Sequence, residues 1–344
     1  MQLDFSTLSI EEAIAVIDEN KAMDWQLSIL EFLKNYQQVN CEIELNEMQG
    51  ENIFTVAMKK ENIQNTVRKL NDFIGIEQGY VTIIPNSIKM KDGVIALAQA
   101  IEGKMNAFFT EPSNDIKIPY TGQDQNEVHW GLNYAYLTER QLQESSGILH
   151  RIEKVAVESN GMEEETKELL NTNYEEQSIY EVFSVKSFPV AIRNLNDDTF
   201  IVIGDVKISQ TEEGLLEIDS PNFQKKVDTQ KSVVIKDEST FRWLTMNEYL
   251  DEDSDDIINF EYIEEKLKPF IDTRFVVINF PDKSTGKEVV TLVVERRYME
   301  EFNYPVEDLK EHEIPKQTYF LGEFPENNDR AAIRKEVKRL LAEE

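Results

Sequence analysis

The chain contains few cysteine, proline and glycine residues. Its 344 residues include 13 glycines, 10 prolines and a single cysteine, Cys41. One cysteine excludes an intrachain disulfide and a four-cysteine zinc site, and it favours a reducing compartment. The low glycine and proline contents exclude collagen-like and low-complexity chains. We therefore expect regular helices and strands joined by ordinary loops.

Sequence signatures of catalysis and of metal binding are also missing. The three histidines, His129, His150 and His312, form no HExxH motif and no paired spacing, so a zinc centre is not indicated. The chain contains no GxGxxG motif, no Walker A loop and no GxSxG motif, which are patterns of nucleotide-binding proteins and serine hydrolases. From these absences we predict no cofactor and no metal.

Long apolar runs are absent as well. No segment approaches the roughly 20 apolar residues that a membrane-spanning helix needs. The first residues, MQLDFSTLSIEE, lack the basic and apolar regions of a signal peptide. We expect a cytoplasmic protein that does not bind a membrane.

Acidic residues far outnumber basic ones. The 66 aspartates and glutamates, against 36 lysines and arginines, give a formal net charge of −30. Such a body repels the phosphates of duplex nucleic acid and of anionic membranes, which argues against both as partners. The charge indicates either a solubility surface or a protein partner that has a basic surface.

Hydrophobic residues make up 40% of the chain, enough for a substantial core. Their periodicity predicts an α+β fold in two main parts. An N-terminal helix/hairpin domain covers residues 1–110, and a C-terminal, mostly antiparallel β domain closed by helices covers residues 178–344. Between them we predict a linker or long loop at 111–127 and a helical connector at 128–177.

Particular segments carry this interpretation. Ser9 and Glu12 form a capping box at the start of a helix, and Gln49-Gly50 marks a hairpin. Apolar residues at helical spacing predict a long helix over 138–158. A further hairpin is expected on either side of residues 281–287.

The strongest candidate for catalysis is the fragment Asp205-Val206-Lys207. It resembles in part the sites of nucleases of the restriction-enzyme type, in which two carboxylates hold Mg²⁺ and a lysine orients water. The second carboxylate is not evident, because Asp198 lies roughly 23 Å away along an extended strand. A Mg-dependent nuclease or hydrolase that uses Asp205 and Lys207 is therefore an alternative. A pair of opposite charges on an edge strand is the simpler interpretation.

The densest acidic run is Asp251-Glu252-Asp253-Ser254-Asp255-Asp256. An EF-hand calcium loop that begins at Asp251 requires glycine at its sixth position and glutamate at its twelfth, where the chain has Asp256 and Tyr262. The run is thus not a calcium loop. Crowded carboxylates gain from any cation brought near, so we predict that a basic partner contacts Asp251, Asp253, Asp255 and Asp256.

Basic residues are concentrated in the last predicted helix. Five of them lie within ten positions beside an apolar stripe: Arg330, Arg334, Lys335, Lys338 and Arg339. Cations near a helix C-terminus complement the helix dipole, but five in one helix stand out on an acidic chain. We predict that this helix docks onto an acidic face of its own chain or of a second copy, which would form a homo-oligomer.

The ample core, the missing catalytic motifs and the broad negative charge favour a non-enzymatic interaction or assembly protein of a bacterium or virus. Such a protein would dock electrostatically to a basic protein partner. Two alternatives stay open, namely the Mg-dependent hydrolase and an acidic decoy that mimics DNA and occupies a nucleic-acid-binding protein. The sequence leaves enzymatic activity open, because active sites are built by tertiary geometry.

Overall fold

The structure, a computed structural model of the chain, describes most of its residues. These are 1–49, 52–117, 131–159, 177–186, 188–211, 215–223, 225–244, 248–251, 256–296, 309–326 and 330–343, with Met162, Thr166, Lys167, Leu170, Thr172 and Tyr174. The chain divides into two compact units, the first made of Met1–Gln230 and Ile235–Arg242 and the second of Lys231–Val234 and Trp243–Glu344. The domain boundaries predicted at residues 110, 127 and 177 stay predictions, and residue 127 lies outside the described residues.

Helices and strands are mixed along the first 243 residues. The helices are α1 (Ile10–Val16), α2 (Asp24–Tyr36), α3 (Lys60–Ile74), α4 (Lys91–Glu102), α5 (Glu139–Glu144) and α6 (Ser146–Leu149). The strands are β1 (Gln2–Asp4), β2 (Glu42–Gln49), β3 (Asn52–Lys59), β4 (Val81–Ile84), β5 (Asn106–Phe109), β6 (Leu132–Thr138), β7 (Ile152–Ser159), β8 (Ser178–Val185), β9 (Phe188–Asn194), β10 (Thr199–Val202), β11 (Lys207–Gln210), β12 (Leu215–Asp219), β13 (Val227–Asp237) and β14 (Thr240–Trp243).

Local signals in the sequence account for several of these elements. Helix α1 begins at the predicted capping box, in which the Glu12 amide donates to the Ser9 hydroxyl at 3.2 Å and the Ser9 amide donates to the Glu12 carboxylate at 2.8 Å. Strands β2 and β3 form the predicted hairpin, with Glu42 opposite Lys59. Its turn, at residues 50 and 51, lies outside the described residues. The capping box and the hairpin strands are therefore confirmed.

The largest sheet has 12 strands in the order β1-β5-β4-β6-β7-β8-β9-β10-β14-β13-β12-β11. Strands β5, β4, β6, β7 and β8 are parallel to one another, whereas β8 and β9 pair antiparallel. The chain passes from β4 through α4 to β5 on one side of β4, and it then continues to β6 on the other side. Strands β4 and β6 therefore border a topological switch point. Open α/β sheets bind ligands at such a point, outside the carboxyl ends of the strands.

Helices cover both faces of the parallel strands. Tyr134 and Tyr136 of β6 join a core that includes residues of α3 and α4, whereas Ala135 and Leu137 join a second core that includes Leu142 of α5. This alternation is the period of two that a strand imposes on its side chains. Packing on both faces buries the parallel part of the sheet and leaves the ends of its strands as the natural place for a ligand.

The predicted mixture of α-helices and β-strands is confirmed, with a large sheet and few helices in the described chain. The long helix predicted over 138–158 is wrong, because the short helices α5 and α6 are followed by strand β7. A strand that is buried on both faces has no strict alternation of polar and apolar residues, so its apolar positions can imitate helical spacing. The β-branched residues Val155 and Val157 favour the strand.

The described residues of the second unit form a three-stranded sheet, a two-stranded sheet and two helices. Its elements are β15 (Glu248–Asp251), β16 (Asp256–Asn259), α7 (Phe260–Leu267), β17 (Phe275–Pro281), β18 (Glu288–Glu295), β19 (Gln317–Leu321) and α8 (Arg330–Glu343). Strands β17 and β18 form the predicted hairpin, and β19 pairs in parallel with β18. In the turn of this hairpin, the hydroxyl and amide groups of Ser284 and Thr285 donate to Asp282 and lower its pKa to about 2.

Helix α8 packs on the sheet of its own unit. Its apolar residues Ile333, Val337 and Leu341 share a core with residues of β17 and β18. Arg334 is buried beside them, and its guanidinium lies 2.8 Å from the carboxylate of Glu264 on α7. Within the described residues, none of the helices combines the length and the apolarity that crossing a bilayer requires.

The basic residues of α8 occupy different settings. Arg330 and Arg334 both bind a buried carboxylate of α7. Lys338 and Arg339 pair with acidic residues of the same unit at 3.7 and 2.6 Å, and Lys335 is exposed. The role of these residues in binding a second chain stays a prediction.

Candidate functional site

A cavity of about 440 Å³ lies at the switch point between β4 and β6. This volume is in the range of small-molecule sites, roughly 300–1,000 Å³. Residues at the start of α4, at the junction of β6 and α5, at the end of β7 and on strand β2 form its walls. They are Asn46, Glu47, Met48, Met90, Lys91, Asp92, Thr138, Glu139, Arg140, Glu158 and Ser159.

Hydrogen bonds fix the segments that surround the cavity. The amide side chain of Asn46 on β2 donates to the carbonyl oxygen of Lys89 at 2.8 Å, which joins the hairpin to the loop before α4. Thr138 ends β6 and caps α5, because its hydroxyl accepts from the amide of Gln141 at 3.2 Å. The walls of the cavity are therefore fixed by hydrogen bonds at the ends of strands and helices.

Lys91, the first residue of α4, binds two carboxylates. Its Nζ atom lies 2.5 Å from Oε1 of Glu47 on β2 and 2.5 Å from Oε1 of Glu158 on β7. These side chains are mostly covered, with 12% of Lys91, 23% of Glu47 and 10% of Glu158 exposed. Lys91 thus ties the hairpin to the carboxyl end of a central strand.

Burial and neighbouring charges shift three pKa values at this cavity. Burial lowers the pKa of Lys91, but the charge of Glu158 and hydrogen bonds to Glu158 and Glu47 raise it, and the net shift is upward. The pKa of Asp92 is raised first by burial and then by the negative charge of Glu158. Burial, followed by the charge of Glu158, also raises the pKa of Tyr136, whose hydroxyl donates to Glu158 at 3.1 Å. The cavity therefore combines a charged lysine with a carboxyl group that retains its proton to higher pH.

The raised pKa of Asp92 predicts a dependence of stability on pH. Above the usual value of 3.8 and up to the raised pKa, the folded chain holds a proton that the unfolded chain releases, so this carboxyl group lowers stability as pH rises. We expect Asp92→Asn to remove this effect. The unfolding free energy of the variant, relative to that of the native chain, should increase as pH rises above about 4. Urea unfolding at a series of pH values measures the difference, and a difference independent of pH would contradict the assignment.

The backbone of α4 also contributes to the cavity. Met90, its N-cap residue, makes no side-chain cap hydrogen bond, and the amides of a first helical turn have no partner within the helix. Together with the helix dipole, such amides attract anionic groups. The helix starts close to the loop after β4, since a Cβ atom built at Gly93 would lie 2.3 Å from the carbonyl oxygen of Ser87.

Gly93→Ala is expected to destabilise the fold by about 1–3 kcal/mol, because the added methyl group forces α4 away from the loop after β4. Gly131→Ala is the matched control, since a Cβ atom there meets no atom within 4 Å, and it should change stability by less than about 0.5 kcal/mol. Urea unfolding compares both variants with the native chain. Equal effects of the two substitutions would show that the close approach at Gly93 has no energetic consequence.

A buried ion pair fixes the end of β7 beside the cavity. The hydroxyl of Ser159 donates to Glu181 at 3.0 Å. Glu181 also accepts from the amide of Met162 at 2.8 Å and from Nε and Nη2 of Arg193 at 2.7 and 2.5 Å. The side chain of Glu181 is fully buried, and that of Arg193 is 6% exposed. The hydrogen bonds of one carboxylate thus connect β7, β8 and β9.

The cavity has donors and acidic groups in separate parts of its wall. Lys91, Arg140, the hydroxyl of Thr138 and the first-turn amides of α4 can bind an anionic or polar group. Glu47, Asp92, Glu139 and Glu158 supply the acidic groups. In the described part of the chain, no three residues of the histidine, cysteine, aspartate and glutamate types are arranged to hold a metal ion.

The hydrolase candidates from the sequence lie elsewhere. Asp205 follows β10 in a bend, and Lys207 is the first residue of β11. Both side chains are exposed, and neither lines the cavity at the switch point. The structure does not bring them together with a second carboxylate in a metal-binding group of described residues.

The first and last residues of the acidic run, Asp251 and Asp256, are opposite each other across β15 and β16. Asp253 and Asp255 lie outside the described residues. Partner binding by this run stays a prediction.

Sequence reasoning missed the residues at the centre of the cavity. Lys91 and Asp92 open α4 after the short strand β4, and this strand–loop–helix order is the signal that the sequence offers. The sequence places Glu158 in the helix predicted over 138–158, so its actual position at the end of a parallel strand could not be recognised. The contact between Lys91, Glu47 and Glu158 joins residues 44 and 67 positions apart, and no local pattern reports it.

Comparisons with known proteins bear on this fold. No protein-family model matches the chain, and no curated protein matches it. Among solved structures, the acyl-CoA synthetase (AMP-forming)/AMP-acid ligase II-like protein from Dyadobacter fermentans is similar over 98% of this chain and 100% of its own length, with a TM-score of 0.62 and 16% identity. The two chains share a fold.

Further similar structures have lower scores. Apo MatB from Rhodopseudomonas palustris has a TM-score of 0.48 and 13% identity, over 86% of this chain and 68% of its own. A fatty acyl CoA synthetase from Mycobacterium tuberculosis has a TM-score of 0.45 and 11% identity, over 88% and 69%. These weaker similarities add nothing to the fold assignment.

The prediction of a non-enzymatic interaction or assembly protein is wrong, and so are its hydrolase and DNA-decoy alternatives. The finding that overturns it is the similarity of the fold to a protein described as acyl-CoA synthetase (AMP-forming)/AMP-acid ligase II-like. The error has a physical origin, because net charge reports on solubility and association and does not report on fold.

Proposed function

We propose that this chain is an AMP-forming acid ligase, an enzyme that activates a carboxylic acid with ATP. The observation that carries the proposal is the similarity of fold to the Dyadobacter fermentans protein over nearly the whole of both chains. In the proposed step, a carboxylate oxygen forms a bond to the α-phosphorus of ATP. The bond from that phosphorus to the bridging oxygen breaks, and pyrophosphate leaves with the electron pair.

The cavity at the switch point is the proposed site of this reaction. Its position outside the carboxyl ends of β6 and β7, at the start of the helix that follows β4, is where open α/β sheets bind ligands, and its volume of about 440 Å³ suits a small molecule. The first-turn amides of α4 are suited to phosphate oxygens. The missing GxGxxG and Walker A motifs belong to other nucleotide-binding folds and do not argue against a site built by tertiary contacts.

The acidic residues of the cavity wall make ATP binding dependent on a counter-ion. Four residues with carboxyl groups and two with cationic groups line the wall. The phosphates of ATP are themselves anionic, so they need a counter-ion to approach these acids. We therefore expect the chain to bind ATP together with Mg²⁺ and to bind free ATP much more weakly. Calorimetric titration with and without Mg²⁺ measures the difference.

A pair of arginine variants locates the binding site. Arg140 lines the cavity, and its side chain is 73% exposed and paired with the partly exposed Glu144, so Arg140→Gln should leave the fold intact. We expect this variant to weaken binding of ATP with Mg²⁺ by about fivefold, because one charge-assisted contact is lost. Arg151→Gln removes the same charge from an exposed residue outside the cavity and should change the dissociation constant by less than about twofold. Undetectable binding to the native chain, or equal weakening by the two variants, would contradict the proposed site.

Other features are proposed on the sequence. The two-part organisation, with an N-terminal helix/hairpin domain and a C-terminal, mostly antiparallel β domain, is supported by the change in periodicity along the chain. A cytoplasmic location is supported by the single cysteine. Contact of the acidic run with a basic protein, and self-association through α8, are supported by the distribution of charge.

A further inference from the structure

The second unit contains its own cavity, of about 340 Å³. The cavity lies between the end of α7, the start of β17 and the start of α8. Its wall includes three cationic side chains, those of Lys268, Arg274 and Arg330, and one acidic side chain, that of Asp272. Asp272 is itself bound to Arg296 at 2.5 Å. The cavity wall is therefore positive, on a chain whose formal net charge is −30.

Arg274 is held in a fixed orientation at this cavity. Its Nη2 atom donates to the carbonyl oxygen of Pro325 at 2.9 Å, and its guanidinium lies over the ring of Phe324 at 5.6 Å. Its Nη1 atom is 3.6 Å from the carboxylate of Glu295, which is an ion pair without a short hydrogen bond. A guanidinium has five N–H donors, so donors remain for a ligand.

Lys268 has no ion pair or hydrogen bond from its ammonium group to any described residue, and its side chain is exposed. Part of its position is explained by the C-terminus of α7, where a cation complements the helix dipole. That effect does not explain why Arg274 and Arg330 line the same cavity. Arg330 binds Glu264 through Nη1 and lies in the first turn of α8, where the helix dipole adds positive potential.

Thr273 also belongs to the cavity wall, but its hydroxyl oxygen is buried from solvent. The groups open to a ligand are therefore the cationic side chains. The oriented guanidinium of Arg274 and the ammonium group of Lys268 at one cavity point to an oxygen-rich anion.

We propose that this cavity binds a phosphate-bearing ligand, with Lys268, Arg274 and Arg330 as the cationic contacts. Arginine and lysine are the side chains that bind phosphate oxygens most strongly. No residue of this cavity wall lines the cavity of the proposed ATP and acid site. The site does not depend on the proposed ligase activity.

Calorimetric titration of the full chain with pyrophosphate, at low ionic strength and without Mg²⁺, tests the site. Lys268→Gln removes an exposed cation of the wall and should weaken pyrophosphate binding by about tenfold. Lys266→Gln is the matched control, because it removes the same charge from α7 two residues away and outside the cavity. It should change the dissociation constant by less than about twofold.

Arg140→Gln separates this cavity from the site in the first unit. It should leave the binding step that depends on Lys268 unchanged, whether or not the chain proves to bind ATP. Two results would overturn the proposal: no heat of pyrophosphate binding to the native chain, or equal weakening by Lys268→Gln and Lys266→Gln. The second result would show a general electrostatic effect of α7 and no built site.

Discussion

Lys91→Met is expected to lower the free energy of unfolding by about 3–5 kcal/mol. The substitution keeps a side chain of similar length but removes the ammonium group between Glu47 and Glu158. Two mostly covered carboxylates would then face each other without a cation, and burying an unpaired charge is far more costly than losing a surface pair. Urea unfolding with linear extrapolation measures the loss.

Two further variants separate the loss of the charge from other effects of the substitution. Adding Glu158→Gln to Lys91→Met removes one of the uncompensated charges and should restore part of the stability. Lys34→Met removes a lysine of a surface pair, in which Lys34 and Glu19 are 50% and 58% exposed, and should cost less than about 1 kcal/mol. Equal losses for Lys34→Met and Lys91→Met would contradict the central role given to Lys91.

Arg193→Met is expected to cost a similar amount, about 3–5 kcal/mol. Arg193 donates twice to Glu181, which has no exposed surface. Without the guanidinium, the donors left to the carboxylate among the described residues are the hydroxyl of Ser159 and the amide of Met162. Because Ser159 lines the cavity, the variant should also weaken ligand binding there. Urea unfolding and calorimetric titration with ATP and Mg²⁺ measure the two effects.

The double variant Arg193→Met with Glu181→Gln tests the cause of this loss. The glutamine keeps an acceptor for Ser159 and Met162 but carries no charge, so the double variant should be more stable than Arg193→Met alone. Arg140→Met, in an exposed pair with Glu144, should change stability by about 0.5 kcal/mol or less. A double variant less stable than Arg193→Met would show that the charge of Glu181 is not the source of the loss.

Local elements of the fold follow from local chemistry. The box of Ser9 and Glu12, the β2–β3 hairpin and the β17–β18 hairpin all depend on residues that are close in sequence, and all three occur in the structure. The structure of Ile152–Ser159 could not be predicted from neighbouring residues in this way. Its apolar residues fit both a buried helix and a doubly covered parallel strand, and only the pairing with β6 and β8 decides between them.

The candidate site depends on long-range contacts and was therefore hidden in the sequence. Lys91, Glu47 and Glu158 come from a helix start, a hairpin and a strand end, and each alone is an ordinary charged residue. Their significance comes from the strand order, in which β4 lies between β5 and β6. Sequence patterns do not give strand order, so the switch point and its cavity became visible only in three dimensions.

The acidic composition misdirected the functional prediction. The count of charged residues indicated a negative surface suited to docking with a basic protein. It could not reveal that Lys91 and Arg140 lie in one cavity, or that three cationic side chains line another. Local charge at a cavity, and not net charge, determines which ligand can bind there. Both proposals made for this chain rest on such local arrangements.

The most direct test of the central claim is the formation of pyrophosphate by the full chain from ATP and a carboxylic acid. The chain is incubated with ATP, Mg²⁺ and a panel of carboxylic acids, and the acyl adenylate and pyrophosphate are quantified by chromatography. The proposed activity predicts acyl adenylate and pyrophosphate in equal amounts, dependent on at least one acid, with a lower rate for Arg140→Gln than for Arg151→Gln at limiting ATP. Absence of pyrophosphate with every acid, or pyrophosphate formed at the same rate without any acid, would contradict it.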